Sequence, residues 1–178
     1  MISLVNVRIS RDLSFIFHIM TNTKEAPLFL RQIRINSFEE FEEWFRGELR
    51  RYYDRFYMIQ DEQQNNIGFV FSYDYKPVDR HARFSVYICP EYRNLGAGVE
   101  ASIFFAGMLF MEQNLRKLYS HVYEYNTESM RCHRQAGFAE EGCLREDRYY
   151  GGRYWDTYIF SIAREPFLTK FGKLLERA

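Results

Sequence analysis

The segment Arg93-Asn94-Leu95-Gly96-Ala97-Gly98-Val99 places a guanidinium, two glycines and the start of an apolar helical pattern directly after the β-rich run Ser85–Ile88. Residues of those types at that spacing suit an anion. Glycine lets main-chain N–H groups turn towards a single point, and the positive end of the following helix favours phosphate oxygens. Arg93 adds a planar donor that can fork onto one of them.

Two ligand classes use loops of this kind. Gly96-x-Gly98-x-x-Ala101 satisfies a loose dinucleotide fingerprint and would imply a nicotinamide or flavin cofactor. A Rossmann unit opens with its glycine loop, however, and this loop comes halfway along, after segments that read as antiparallel. The alternative is a diphosphate loop of the form Arg/Gln-x-x-Gly-x-Gly/Ala, which Arg93–Gly98 matches at each specified position.

The elements that must position this loop follow from periodicity and punctuation. Ile2 to Ile9 alternates as a strand, and Arg11 to Met20 carries Leu13, Ile16, Phe17 and Met20 on one helical face. Ser37-Phe-Glu-Glu40 is a capping box for a helix to Arg50, with Phe38, Phe41, Trp44, Phe45 and Leu49 inward. Phe56–Gln60 and Ile67–Tyr75 flank a polar turn, and His81–Ile88 is a strand that Pro90 ends. A helix over Gly98–Asn114 then leads to a strand over Tyr119–Tyr125, which the crossover makes parallel to the previous one. Asn126 or Thr127 caps a helix that Gly137 closes, and Cys143–Tyr150 pairs with Arg153–Ala163 around Gly151-Gly152. The fold class is α/β, a mixed sheet.

Composition narrows the rest. With 178 residues, 47% of them hydrophobic, the chain can bury one core. Lys plus Arg equals Asp plus Glu at 24 each, so no overall field recruits nucleic acid or a membrane surface. Most of the aromatic residues, 19% of the chain, are assigned to the core. Cys89, Cys132 and Cys143 form no even set and read as buried thiols of a reducing compartment. The four histidines His18, His81, His121 and His133 lack ligand spacing, so no metal is expected. With no leader pattern and no apolar run long enough to span a bilayer, the expected location is cytoplasmic.

Further motifs extend the diphosphate loop into a family pattern. Asn126-Thr-Glu-Ser129 is followed by Gly137-Phe138, and Glu141-Gly precedes Gly151-Gly-Arg-Tyr-Trp-Asp156. Together with Arg93–Gly98 these resemble the GNAT superfamily of acetyl-CoA-dependent N-acyltransferases, and the later motifs are similar to its RimJ/RimL branch. The likeness covers about Ile67 to Ile162. It implies mostly antiparallel strands with a parallel pair, the fourth and fifth, splayed in the centre, and acetyl-CoA as cosubstrate. Val86 and Ile88 would then pair with the pantetheine arm, and Arg93, Asn94, Leu95, Gly96, Ala97, Gly98 and Val99 would cradle the diphosphate. Asn126 would lie near the pantetheine or fix the helix start, and Ser129 would donate to the departing sulfur or serve its helix alone. His133 stands where many members carry a tyrosine near the thiol; otherwise it is an exposed helical residue.

The implied reaction is direct aminolysis of a thioester in a ternary complex, giving an N-acetylated primary amine on a small molecule or peptide. The likeness fails at the usual acids, where Arg83 and Arg148 stand on the fourth and sixth strands. Glu146, two residues from Arg148 and so on the same strand face, and then Glu124 are the substitute bases, each with an ion-paired surface role as its alternative. Arg83 and Arg148 point to an acceptor bearing a carboxylate or phosphate and argue against a polyamine. An acyl-CoA-binding regulator without turnover is the remaining reading. Residues 1–163 form one domain, and 164–178 form an amphipathic tail that docks on its own domain or makes a homodimer contact.

Overall fold

Alternation along the central strands decides which face each residue buries, and two clusters of large side chains result. The computed structural model describes residues 2–22, 24–28, 35, 37–51 and 55–175. In chain order the elements are β1 (Ser3–Asn6), α1 (Ile9–Thr21), α2 (Phe38–Leu49), β2 (Phe56–Gln60), β3 (Asn66–Lys76), β4 (His81–Ile88) and α3 (Ala97–Glu112). They continue with β5 (Lys117–Tyr123), α4 (Thr127–Gln135), β6 (Ala139–Tyr150), β7 (Arg153–Ala163) and α5 (Arg164–Leu175). Short 3-10 turns cover Ala26–Leu28 and Pro90–Tyr92.

The seven strands form one sheet in the order β1-β2-β3-β4-β5-β7-β6. The β4–β5 pair is parallel and the other neighbours are antiparallel. On one face Val70, Phe84, Leu118 and Phe160 pack with Phe105 and Phe110 of α3. On the other, Phe69, Phe71 and Tyr87 meet Leu13 and Ile16 of α1 and Phe41 and Phe45 of α2.

Local chemistry explains most boundaries. Ser37 Oγ accepts the Glu40 N–H at 3.1 Å and starts α2. Gly151 and Gly152 have φ of 60° and 87°, the pair of positive values that a primed hairpin turn requires. Gly137, at φ 86°, closes α4. The first helix begins earlier than its periodicity suggests. Ile9 lies in α1 because the Asp12 carboxylate accepts the Arg8 N–H at 2.8 Å, which caps the helix from its own first turn. Leu49, expected inward, is 36% exposed at the last turn of α2. Of the three cysteines only Cys89 is buried, since Cys132 and Cys143 sit on a helix and a strand that leave one side open.

Helix α5 lies on α3. Phe167 is buried with its ring 5.2 Å from that of Phe110, and Leu175 approaches Gly107 so closely that a Cβ there would come within 2.7 Å of Cδ1. No helix among the described residues is long and apolar enough to cross a membrane.

Gly68 of β3 tests the packing at the far end of β4. A Cβ at this position would lie 2.1 Å from the Tyr87 carbonyl oxygen, main chain that cannot move aside. Gly68→Ala is expected to cost about 3 kcal/mol or more in urea unfolding. Gly47→Ala, on α2 with nothing near its missing Cβ, should instead stabilise by roughly 0.5–1 kcal/mol. Equal midpoints for the two variants would contradict the close approach.

Candidate active site

The parallel pair β4–β5 is joined over only three residues, His81–Arg83 against Lys117–Tyr119. Beyond Arg83 and Tyr119 the strands diverge. Hydrogen-bond parity shows which main-chain groups then face the gap. Cys89 N bonds to Ile67 O at 2.8 Å, so the odd-numbered residues of β4 pair with β3, and Phe84, Val86 and Ile88 turn towards β5. Glu124 N bonds to Asp156 O at 2.9 Å, so the even-numbered residues of β5 pair with β7, and His121 and Tyr123 turn towards β4. Two groups are satisfied locally: Arg93 Nε donates to Ile88 O at 2.9 Å, and Asn126 N donates to Tyr123 O at 2.8 Å. Val86 and His121 face the gap between them, where a cavity of about 260 Å³ opens.

That cavity reaches the anion loop. Gly96 takes φ 88° as the residue before α3, with open space around its missing Cβ, so the requirement there is backbone conformation. Asn94 also has a positive φ, 60°, while Leu95 is 76% exposed. Glu100 N is the first amide of α3 to find a helical acceptor, Gly96 O at 3.0 Å. The amides of Ala97, Gly98 and Val99 therefore have no acceptor within their helix. They lie at its positive end. At Gly98 a Cβ would already touch Cys132 Sγ at 3.4 Å and Ile88 Cγ1 at 3.6 Å, so α3, α4 and β4 converge at this point. These unpaired main-chain groups, the slot and the helix start fit an extended amide-bearing arm that ends in a diphosphate.

Arg93 sits beside this helix start with its charge already balanced. Its guanidinium pairs with Glu25, lies 3.9 Å from Glu128 and stands 5.5 Å from the centre of the Tyr87 ring. A diphosphate reaching it would compete with those two carboxylates.

Helix α4 brings Asn126, Ser129 and His133 to the same cavity. Asn126 Oδ1 accepts the Ser129 N–H at 3.2 Å, so the amide caps the helix. His133 is not an exposed helical residue. It is buried among Phe84, Phe138 and Phe160, and Nδ1 lies 2.7 Å from the Ser129 carbonyl. A carbonyl only accepts, so Nδ1 carries the hydrogen and Nε2 is a bare lone pair without a partner among the described residues. Burial pushes the His133 pKa down to about 4, against a smaller upward push from the Ser129 bond. A neutral ring of this tautomer has no proton to give a departing sulfur. Ser129 Oγ, 3.4 Å from His133 Nδ1, is the donor that remains on this helix.

The structure does not bring the substitute carboxylates to the gap. Glu124 accepts the Asp156 N–H at 3.3 Å, and the Glu146 N–H donates to Asp156 at 2.9 Å from a bulge where Glu146 has φ 50°. Both are exposed on the β6–β7 side, and neither lines the cavity. Irregular register between Leu144 and Arg148 breaks the alternation from which a shared face for Glu146 and Arg148 was expected. Arg83 Nε lies 3.5 Å from Asp74 Oδ2. Arg148 sits 5.1 Å over the Tyr123 ring and has a buried Nε without a partner among the described residues. Tyr125 meets Tyr150 at 4.8 Å and Trp155 at 5.3 Å, and its hydroxyl donates to Pro27 O at 2.6 Å.

Sequence reasoning passed over His121 and the aromatic cluster. His121 entered it only as a metal candidate, and strand parity on β5 is the signal that places its backbone in the gap.

Comparison with known proteins agrees with this geometry. A GNAT acetyltransferase domain profile matches residues 6–159, and the chain belongs to that family. A spermidine N(1)-acetyltransferase of Vibrio cholerae serotype O1 is 29% identical over 159 residues, 89% of this chain and 91% of that one. The crystal structure of spermidine N-acetyltransferase from Vibrio cholerae with CoA and spermine superposes with a TM-score of 0.86, at 28% identity over 94% of this chain and 98% of that one. A dodecameric structure of the Vibrio cholerae protein gives a TM-score of 0.83, at 27% identity over 95% of this chain and 97% of that one. The chain is thus an acetyl-CoA-dependent acetyltransferase acting on a primary amine. The dinucleotide and non-catalytic readings fall away, and these relatives lend no support to the RimJ/RimL branch.

The buried imidazole makes stability depend on pH. Its folded pKa lies below the ordinary 6.5, so the unfolded chain binds the proton more readily between the two values. The contribution is complete above about pH 6.5 and is lost as pH falls towards 4, at up to roughly 1.4 kcal/mol per pH unit. In urea titrations at pH 7 and pH 5, His133→Phe should narrow the gap between the midpoints. An unchanged gap would assign the dependence to another group.

Proposed function

We propose that this acetyltransferase acts on a short aliphatic polyamine of the spermidine type, with acetyl-CoA laid between β4 and β5. The observation that carries the reading is the three-residue limit of β4–β5 pairing. The pantetheine amides complete the main-chain groups left open, the diphosphate takes the amides of Ala97, Gly98 and Val99, and the acetyl group comes to rest beside Val86. Arg93 would turn from Glu25 and Glu128 to a phosphate oxygen.

The amine nitrogen then attacks the carbonyl carbon directly. The Val86 N–H, aimed into the gap, holds the developing oxyanion, a type of contact worth about 10²–10³ in rate. Ser129 Oγ supports the sulfur as the C–S bond breaks.

Support for a cationic acceptor is electrostatic as well as by likeness. Asp74, shared with Lys76 at 2.8 Å, lies 3.5 Å from Arg83 and offsets part of the charge that argued against a polyamine. Tyr125, Tyr150 and Trp155 form a cluster of rings that attract cations, and the Trp155 ring already carries the Arg153 guanidinium 3.3 Å from its centre. Both named relatives act on spermidine or bind spermine. One observation favours a second reading: the Nε of Arg148, without a partner among the described residues, would suit the carboxylate or phosphate of an anionic amine, with Arg83 as its companion. Self-association is also part of the proposal, supported by the dodecamer of the Vibrio cholerae neighbour.

CoA release measured with spermidine, spermine, amino acids, a peptide and an amino-sugar nucleotide separates the acceptor readings. Spermidine or spermine is expected to give a kcat/KM at least about ten-fold above the others. A preference for the anionic amines, lost in Arg148→Ala, would establish the second reading instead. Light scattering should give a mass above that of one chain, and a monomer would exclude assembly.

A further inference from the structure

We propose that His121 is the general base of the transfer, taking the proton from the attacking nitrogen as the C–N bond forms. The inference rests on the acetyltransferase reaction and not on the identity of the acceptor.

Placement is the first argument. Leu118 and Val122 of β5 join the core under α3, so Tyr119, His121 and Tyr123 project from the opposite face of the sheet. Ser129 and His133, on α4, occupy the other side of the cavity. The thioester sulfur is served from the α4 side, which leaves the α1–α2 side for the incoming amine. His121 lines the cavity there, across from Ser85 and Val86.

Availability is the second. His121 is partly exposed, and among the described residues no hydrogen bond ties down either ring nitrogen. His133, by contrast, is buried and fixed by its bond to Ser129. Glu124 and Glu146 face the Asp156 network outside the cavity.

Charge state is the third. Burial lowers the His121 pKa and Arg83 of β4 lowers it further, while Asp147 of β6 and Asp74 of β3 raise it. The net direction is down, so the ring is neutral and able to accept a proton at neutral pH. The same two carboxylates then stabilise the imidazolium that forms. Asp147 is held in place by the Thr157 hydroxyl, which donates to it at 2.7 Å.

The proton account closes. The neutral amine attacks, the C–N bond forms and His121 accepts the proton shed by nitrogen. The C–S bond breaks, the thiolate takes a proton from solvent, and His121 returns its own to solvent.

The test is His121→Gln, assayed with acetyl-CoA and whichever primary amine the wild-type enzyme acetylates fastest, so its outcome is independent of the acceptor class. We expect kcat to fall about 100-fold, the acid limb of the pH–rate profile to vanish, and CoA affinity by calorimetry to stay within about two-fold. A variant with wild-type kcat and an intact acid limb overturns the proposal. Asp147→Asn provides a second reading should the first variant fold poorly. Removing the nearby negative charge lowers the imidazole pKa, so the acid limb must move to lower pH. A limb that stays in place or moves up also overturns the proposal.

Discussion

Everything in this site depends on two neighbouring strands that stop pairing partway along their length. Main-chain N–H and C=O groups turned into a gap are costly unless something completes them. The chain completes some itself. Arg93 takes the Ile88 carbonyl and Asn126 the Tyr123 carbonyl, which fixes the mouth of the gap and leaves its middle for a ligand. A peptide-like arm is the natural guest because it repeats the missing ladder.

The gap stays open because each strand is held from its far side. β4 is paired to β3 along its full length and β5 to β7, so neither strand can swing inward without breaking an antiparallel ladder. Behind β4, Gly68 lets β3 approach the Tyr87 carbonyl at a distance no side chain would permit. The two helical layers then wedge different faces. The α3 and α4 helices bring the amides of the α3 start and a hydroxyl to one side, and the α1–α2 layer leaves His121 accessible on the other.

Electrostatics in the site are local balances, in keeping with a chain whose charges sum to zero. Arg93 is offset by Glu25 and Glu128, and Arg83 in part by Asp74, which it shares with Lys76. The two histidines in the cavity show how burial alone divides roles. His133, enclosed by phenylalanines with Nδ1 committed, is a fixed neutral packing group with one bare nitrogen. His121, half-enclosed and untethered, keeps its proton chemistry.

The sequence by itself determined the glycine loop before α3, the cap at Ser37, the glycine turns and the α/β order, because each depends on neighbours within about four residues. Arg93–Gly98, Asn126 and Gly137 were legible for that reason. Roles that depend on residues far apart in the chain were not. Glu146 was read onto a shared face with Arg148 until a bulge shifted the register, and Arg83 looked like a free cation until Asp74 met it across a β3–β4 irregularity. His121 carried no local motif. Only tertiary structure decided that its strand would part from β4 after Tyr119, and a side chain beside an open gap has chemistry that the same side chain in a closed ladder would lack.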